Sequence, residues 1–172
     1  MKIFRVSPGF VGIVAVLMMA MMLSPAYAGG SPHFIKNATD VYIHMMGCLH
    51  SDFKEAGLPS GAVETITLKG TAAVTFWSIN GGGNHPQAAN KETYVIEVRE
   101  SGQFTADKNG NIIGFVCIPP PTAEEVGFEV PKGQTAVMVS IVYTNVTILD
   151  ETSGASMSFP GTFEYADPAY TP

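Results

Sequence analysis

The segment from His44 to His50 carries the side chains in this chain that are best suited to bind a soft metal ion. In a regular strand, alternate side chains point to the same face. The residues that would then share a face are His44, Met46, Cys48 and His50. Two imidazoles, a thiolate and a thioether are the ligand set of a blue copper centre, and pairs of them also bind Cu(I) or zinc.

The spacing of these ligands argues against a copper centre. Four ligands in line on one strand cannot surround one ion, so a copper or zinc site would need His33 or His85 as well. No methionine follows Cys48 at the distance that blue copper proteins use, because Met138 and Met157 lie far along the chain. We therefore expect no cofactor and a half-exposed strand face, with a copper or zinc site as the alternative.

Cys48 and Cys117 are the only cysteines in the chain. In an oxidising compartment two thiols usually pair. A bridge between them would close a loop of about 70 residues and add roughly 4 kcal/mol of stability in the chain-entropy model. We expect this disulfide, with free buried thiols or a metal-ligating cysteine as the alternatives.

A glycine-rich segment from Asn80 to Lys91 is the best candidate for a ligand-binding loop. Its polar side chains are Asn80, Asn84, His85, Gln87 and Asn90. It is not a phosphate loop, because it lacks the Gly-Lys-Ser/Thr ending and a following helix.

The acidic and amide residues at 107–111 resemble the start of a calcium loop, but their glycine stands at the fourth place and not at the sixth. A hairpin turn explains them better.

No pattern in the sequence indicates an enzyme. A hydrolase needs a nucleophile, a base and a group that orients the base, and no serine lies in a Gly-x-Ser-x-Gly turn. His85 is the best loop base but has no evident partner. Several glutamates could meet as a glycosidase pair, yet short loops leave little room for a deep cleft. We expect no catalytic residues.

The periodicity after residue 40 predicts an all-β fold. Strands are predicted at 41–49, 63–69, 71–79, 93–99, 112–118 and 135–149, with a last piece at 159 and 163–165. Gly70 indicates a bulge or a bend, and the prolines at 119–121 end a strand. The best helical candidate is one turn at 51–56. Seven or eight short strands predict a single antiparallel Ig-like β-sandwich over residues 41–172, with a β-barrel as the alternative.

The two sheets should pack about 10 Å apart around large side chains. The aromatic residues available to fill this core are Phe76, Trp77, Phe104, Phe115, Tyr143 and Phe163. The run at 135–149 is apolar or threonine on both faces, which predicts a central strand.

Residues 1–28 predict a cleaved export signal. Lys2 and Arg5 form a positive start, residues 10–23 form an uncharged apolar run, and Ala26-Tyr27-Ala28 is a small-x-small cleavage site. The apolar run is short, since about 20 residues are needed to span a bilayer. The sequence therefore predicts a secreted or periplasmic protein, with an N-terminal arm at 29–40 before the sandwich.

The charge of the mature chain excludes two classes of partner. The signal holds two of the nine basic residues and none of the 15 acidic ones, which leaves a formal charge of −8 after cleavage. Such a chain repels nucleic acid and anionic lipid, and it has no basic cluster to offset this. We expect no nucleic acid partner and no membrane insertion after signal cleavage.

Five stretches carry a resemblance to a known group of proteins. They are Ser31-Pro32-His33-Phe34, Phe53 to Leu58, Asn80 to Glu92, Gly133-Gln134-Thr135, and Tyr143 to Val146. The chain resembles a family of small secreted bacterial proteins of unknown function. The most specific part of this resemblance is the stretch Gly-Gly-Asn-x-Pro-Gln-Ala-Ala-Asn-Lys. The resemblance implies export and a β-rich domain, but no activity and no site residues. Relatives tend to have cysteines where Ser78 and Val130 stand, and they usually lack Cys48 and Cys117.

The functional prediction is a secreted, non-enzymatic binding module for an extracellular ligand or for copies of itself. One alternative is a subunit of a surface polymer. In that case the arm at 29–40 would add as a strand to a neighbour's sheet edge, with Phe34 and Ile35 as its anchors. The other alternative is a copper- or zinc-binding protein that uses the His44–His50 segment.

Overall fold

The computed structural model of the chain describes residues 30–80 and 91–170. The predicted signal at 1–28 lies outside the described residues. So do Asn84, His85, Gln87 and Asn90 of the predicted ligand loop. No helical segment in the described ranges has the length and apolar character needed to cross a membrane.

The described residues form nine strands in two antiparallel sheets. The strands are β1 (His33–Phe34), β2 (Asp40–His44), β3 (Cys48–Ala56), β4 (Val63–Asn80), β5 (Lys91–Thr105), β6 (Ile112–Ile118), β7 (Gln134–Asp150), β8 (Ser156–Phe159) and β9 (Phe163–Ala166). In sheet A, β1 and β2 pair with one edge of β3, and β6 pairs with the other. Sheet B has the order β5-β4-β7, and β8 and β9 share the far edge of β7. The predicted β-sandwich is confirmed, and the barrel alternative is wrong.

The core lies between the sheets and takes alternate residues from each strand. Leu49 and Phe53 of β3 face it from sheet A, and Ile66 and Leu68 of β4 face it from sheet B, each at most 1% exposed. This alternation sets the register, because a slip of one residue would turn every apolar side chain outward.

The predicted core aromatics divide between the interior and the surface. Phe76 and Tyr143 are buried, and Phe104 and Phe163 pack against the core at partial burial. Phe115 was expected inside but is 62% exposed, because it lies on the outer face of β6. Trp77 lies on the outer face of sheet B, where the Lys91 ammonium is 5.4 Å from its ring centroid.

β4 and β7 form the centre of sheet B, as the apolar run at 135–149 predicted. The predicted bulge at Gly70 is also confirmed, since the register shifts between Lys69 and Thr71. The extra residue lies on β7, beside Asn145 with its positive φ of 54°. It allows Tyr143 and Val146, three positions apart, both to face the core.

The prediction of one strand from 41 to 49 is wrong. β2 ends at His44, a 3₁₀ turn occupies Met45–Gly47, and β3 begins at Cys48. Met46 and Gly47 have φ of 59° and 85°, which reverses the chain into a hairpin. The hairpin pairs His44 with Cys48. The sequence did not reveal it, because the turn has only one of the usual turn residues, Gly47.

Two shorter predictions also need correction. Residues 51–56 are not a turn of helix but the second half of β3. The predicted turn at 107–110 exists, but it carries the chain from sheet B to sheet A and does not join two strands of one sheet. The Asp107 carboxylate accepts hydrogen bonds from the N–H groups of Asn109 and Asn111, at 2.7 and 2.9 Å, and these bonds lower the pKa of Asp107.

Part of the predicted N-terminal arm at 29–40 belongs to sheet A, where it forms β1, and a 3₁₀ turn follows at Lys36–Ala38. β1 pairs with Glu55 and Ala56. The Ile35 N–H donates to the Lys54 carbonyl at 2.8 Å. Phe34 is 6% exposed and packs edge-on against Phe53. Exchange of this arm with a neighbour would therefore remove Phe34 from the core of its own chain.

Candidate functional site

Aromatic and imidazole rings gather on the outer face of sheet A. The pairing of β2 with β3 places Tyr42 beside His50, with ring centroids 4.9 Å apart. On its other side His50 stacks on Phe115 of β6, at 5.2 Å and 15°. The His44 ring lies 5.7 Å from the His50 ring. Together with Ile113, which precedes Phe115 on the same side of β6, these residues form what we call the aromatic face.

Asp52 is the polar centre of the aromatic face. One of its carboxylate oxygens accepts the Tyr42 hydroxyl at 3.0 Å, and the other lies 3.2 Å from Nε2 of His50. Burial, this hydrogen bond and the negative charge of Asp52 together raise the pKa of the Tyr42 hydroxyl. One carboxylate thus contacts two rings of the face.

The aromatic face and the adjoining hairpin turn carry most of the exposed large apolar side chains of the described residues. Of eight such side chains, five belong here: Tyr42, Met45, Met46, Ile113 and Phe115. Ile113 and Phe115 are 77% and 62% exposed. A shallow groove between β5 and β6 borders Phe115, and Gly102 and Pro119 also line it. Clustered apolar exposure of this kind marks a contact surface.

The hairpin turn beside the aromatic face is fixed from below by sheet B. The Tyr143 hydroxyl, fully buried, donates to the Gly47 carbonyl at 2.9 Å. Gly47 sits so close to Ile141 and Tyr165 that an added Cβ would lie 3.1–3.2 Å from them. The positive φ and the tight packing both require glycine here. The exposed turn is therefore a rigid part of the surface.

A disulfide joins Cys48 of β3 to Cys117 of β6 on the same outer face, with the two Cα atoms 6.2 Å apart. The predicted bridge is confirmed, and it indicates an oxidising compartment. It also links β3, the central strand of sheet A, covalently to β6, which carries Ile113 and Phe115. Both cysteines of the chain are used in it.

The predicted metal ligands do not lie in line on one strand. His44 and His50 come together across the hairpin, but Met46 lies in the turn with a 75% exposed side chain. Cys48 is in the disulfide and offers no thiolate. Within the described residues no three His, Cys, Asp or Glu side chains are grouped so that they could hold a metal ion. Of the five polar side chains predicted for the ligand loop, only Asn80 is described, as the exposed last residue of β4.

Sequence reasoning missed Tyr42, Asp52, Ile113 and Phe115. The signal for the last two was weak, because the 112–118 run is apolar on both faces, and such a run is typical of a buried strand. The structure makes it an edge strand. Only the pairing of strands far apart in sequence decides this, and periodicity does not report pairing.

Sequence reasoning also missed a cluster of acidic side chains inside the molecule. Glu55, Glu64 and Asp150 come from β3, β4 and the end of β7, and none is more than 2% exposed. Their alternation with exposed residues follows the strand period. A glutamate at a core position is unusual, since charged residues are almost never fully buried unless they are paired.

A scan against models of protein families, a search of curated proteins and a search of solved structures each gave no match. The resemblance to small secreted bacterial proteins therefore stays a prediction.

Proposed function

We propose that this protein is a secreted, non-enzymatic binding module that recognises another protein through the aromatic face. The observation that carries the proposal is the clustering there of exposed apolar side chains, on a chain whose mature charge is −8. Protein interfaces are enriched in aromatic residues and methionine at their centres. Monomeric proteins rarely leave such a cluster open without a use for it.

The construction of the face also supports recognition. The disulfide, the Tyr143–Gly47 hydrogen bond and the Asp52 contacts hold its rings in one arrangement. A surface that is ordered before binding loses less conformational entropy when its partner arrives. Asp52 and His50 also place a polar pair within the apolar surface, where they can align a partner.

The proposed location is outside the cytosol, in the periplasm or beyond the cell. Two observations support it: the predicted signal at 1–28, and the disulfide between Cys48 and Cys117. Disulfides persist in oxidising compartments and are rare in reducing ones.

Sedimentation velocity in the protein's own secretion or periplasmic fluid tests the proposal. The fluorescently labelled wild type should sediment as a complex, and the Ile113→Ser/Phe115→Ser variant as a free chain. The matched control is Val63→Ser/Val95→Ser, since both valines are exposed, at 57% and 68%, and lie off the aromatic face. The control should keep the complex. A wild type that sediments as a free chain, or a control that also loses the complex, contradicts the proposal.

A second candidate function is self-assembly, with another copy as the partner. The observation that favours it is the edge of β6. Within the described residues β6 pairs only with β3, and its seven residues include no charge and no proline. Native edges are normally protected by such residues, as β5 is by Lys91, Glu97 and Arg99. Purified protein that sediments faster as its concentration rises, with the effect lost in the Ile113→Ser/Phe115→Ser variant, would favour this candidate over a different partner.

A further inference from the structure

Three carboxyl groups lie near one another inside the sandwich, and none of them pairs with a basic side chain of the described residues. Glu55 and Asp150 are 0% exposed and Glu64 is 2% exposed. The charged groups that act on Glu55 are Asp150 and Glu64, and both are acidic. The strands that flank β3 face the interior at this level with Phe34 and Ile112, which are apolar. Three carboxylates cannot all be ionised in such surroundings, because an unpaired buried charge is very costly.

The hydrogen bonds show where a proton would be held. One oxygen of Glu55 accepts the Ser153 hydroxyl at 3.4 Å, and one oxygen of Asp150 accepts the Thr152 N–H at 2.8 Å. The second oxygen of each, Oε2 of Glu55 and Oδ2 of Asp150, has no donor. The turn after β7 brings the two side chains together, because Ser153 bonds to Glu55 and Thr152 bonds to Asp150. Since ionised carboxylates only accept, a bond between them requires a proton on one.

We propose that Glu55 keeps a proton and donates it to Asp150, so that one shared proton latches sheet A to sheet B. The latch lies beneath β1, which pairs with Glu55 and Ala56. It also lies beside the turn after β7, where the Asp150 carbonyl accepts the Gly154 N–H at 2.9 Å. Loss of the proton would place two negative charges together between the sheets and loosen this end of the sandwich.

The direction of the pH effect follows from the same geometry. Burial, and then the neighbouring Asp150, raise the pKa of Glu55 from the ordinary 4.5 to about 8. Burial and Asp150 also raise the pKa of Glu64. Between pH 4.5 and about 8 the folded chain therefore holds a proton that the unfolded chain has lost. The contribution of Glu55 to stability is full below pH 4.5 and is lost through this window, which by itself raises the unfolding equilibrium constant about tenfold per pH unit.

Infrared spectroscopy of the native protein tests the latch without any change to the fold. At pH 6, where exposed glutamates are ionised, the spectrum should keep a protonated carboxyl band that disappears on titration near pH 8. The band should lose intensity in the Glu55→Gln variant, where any remainder would come from Glu64. A wild-type spectrum with no protonated carboxyl at pH 6 overturns the proposal, whether or not the variant folds.

Denaturation between pH 4.5 and 9 supplies the second test. Glutamine at position 55 can donate the same hydrogen bond without a titrating proton, so Glu55→Gln should lose most of the slope and be more stable than wild type at pH 8. The matched control, Glu97→Gln, alters an exposed glutamate that accepts the Thr71 hydroxyl, and it should keep the wild-type slope. A Glu55→Gln profile that is as steep as wild type overturns the proposal.

Calcium distinguishes the latch from a cation site built by the same residues. Added CaCl₂ at pH 8 should leave the melting temperature of the wild type unchanged relative to Glu55→Gln. A rise in the wild type that is absent from Glu55→Gln would show that a cation, and not a proton, joins the carboxyl groups, and would overturn the proposal.

Discussion

The outer faces of the two sheets have opposite chemistry. On sheet B, polar side chains of neighbouring strands bond to one another: Thr67 to Ser101 at 2.7 Å, Thr71 to Glu97 at 2.8 Å, and Thr75 to Thr93 at 2.9 Å. Arg99 completes the network by pairing with Glu151. On sheet A the outward-facing positions carry the rings of the aromatic face and the exposed Ile113.

This contrast indicates a division of labour between the sheets. The hydroxyl groups of sheet B satisfy one another, so this face stabilises the sheet by cross-strand pairs. On sheet A, by contrast, large apolar side chains such as Ile113 and Phe115 remain 77% and 62% exposed to solvent. The two faces should therefore respond differently to substitution: sheet B in stability, and sheet A in binding.

The largest stability effect should come from the disulfide that supports the aromatic face. Cys48→Ala/Cys117→Ala removes a bridge that spans 69 residues. The chain-entropy model gives a loss of about 4 kcal/mol in the free energy of unfolding. Urea denaturation of the variant and of the wild type at one pH measures it. A loss under about 1 kcal/mol would show that sheet A does not depend on this bridge.

The second-largest effect on stability should come from the Tyr143–Gly47 hydrogen bond, which joins sheet B to the hairpin of sheet A. Tyr143→Phe leaves the Gly47 carbonyl without its donor, in a place that water cannot reach, and should cost about 1–2 kcal/mol. The ring and its packing remain, so the effect isolates the hydroxyl group. Denaturation of the variant and of the wild type again measures it. A loss under about 0.5 kcal/mol would contradict the role of the Tyr143 hydroxyl.

The sheet B network should show a smaller effect on stability. Thr67→Val keeps the shape of a 1% exposed side chain but removes its bonds to Ser101 and Glu151. We expect a loss of about 1 kcal/mol and an unchanged complex in the secretion fluid. A variant that stays stable but loses the complex would place the binding surface on sheet B.

The smallest stability effect should come from the aromatic face itself. Ile113→Ser and Phe115→Ser alter exposed side chains, so each should change the free energy of unfolding by no more than about 0.5 kcal/mol. Thermal melts of the single variants measure this. A loss above about 2 kcal/mol in either variant would mean that the side chain packs inside the fold and is not free for a partner.

The sequence predicted the sandwich well, because two-residue periodicity reports directly on which strands bury one face. It also predicted the bulge at Gly70, the central strand β7 and the disulfide. It failed at Met45–Gly47, where a tight turn divides the single strand predicted at 41–49. Because the turn was not predicted, the pairing of His44 with Cys48 could not be predicted either, and the aromatic face depends on that pairing.

The acidic cluster shows a second limit of sequence reasoning. Glu55 and Glu64 alternate with their neighbours just as core residues do, but a glutamate in such a position is ordinarily assigned to solvent. Only the packing of sheet A on sheet B brings them to Asp150. The assignment of Phe115 to the core failed for the related reason that an edge strand and a central strand can have the same composition.

Site-specific photo-cross-linking in the native host tests the division between the faces most directly. A benzophenone side chain would replace one residue at a time at Tyr42, Ile113 and Phe115 on the aromatic face, and at Thr71, Ala73 and Val95 on sheet B. We expect adducts with a discrete protein from the first three positions and none from the other three. Adducts that are equally strong from both sets, or confined to sheet B, would contradict the account.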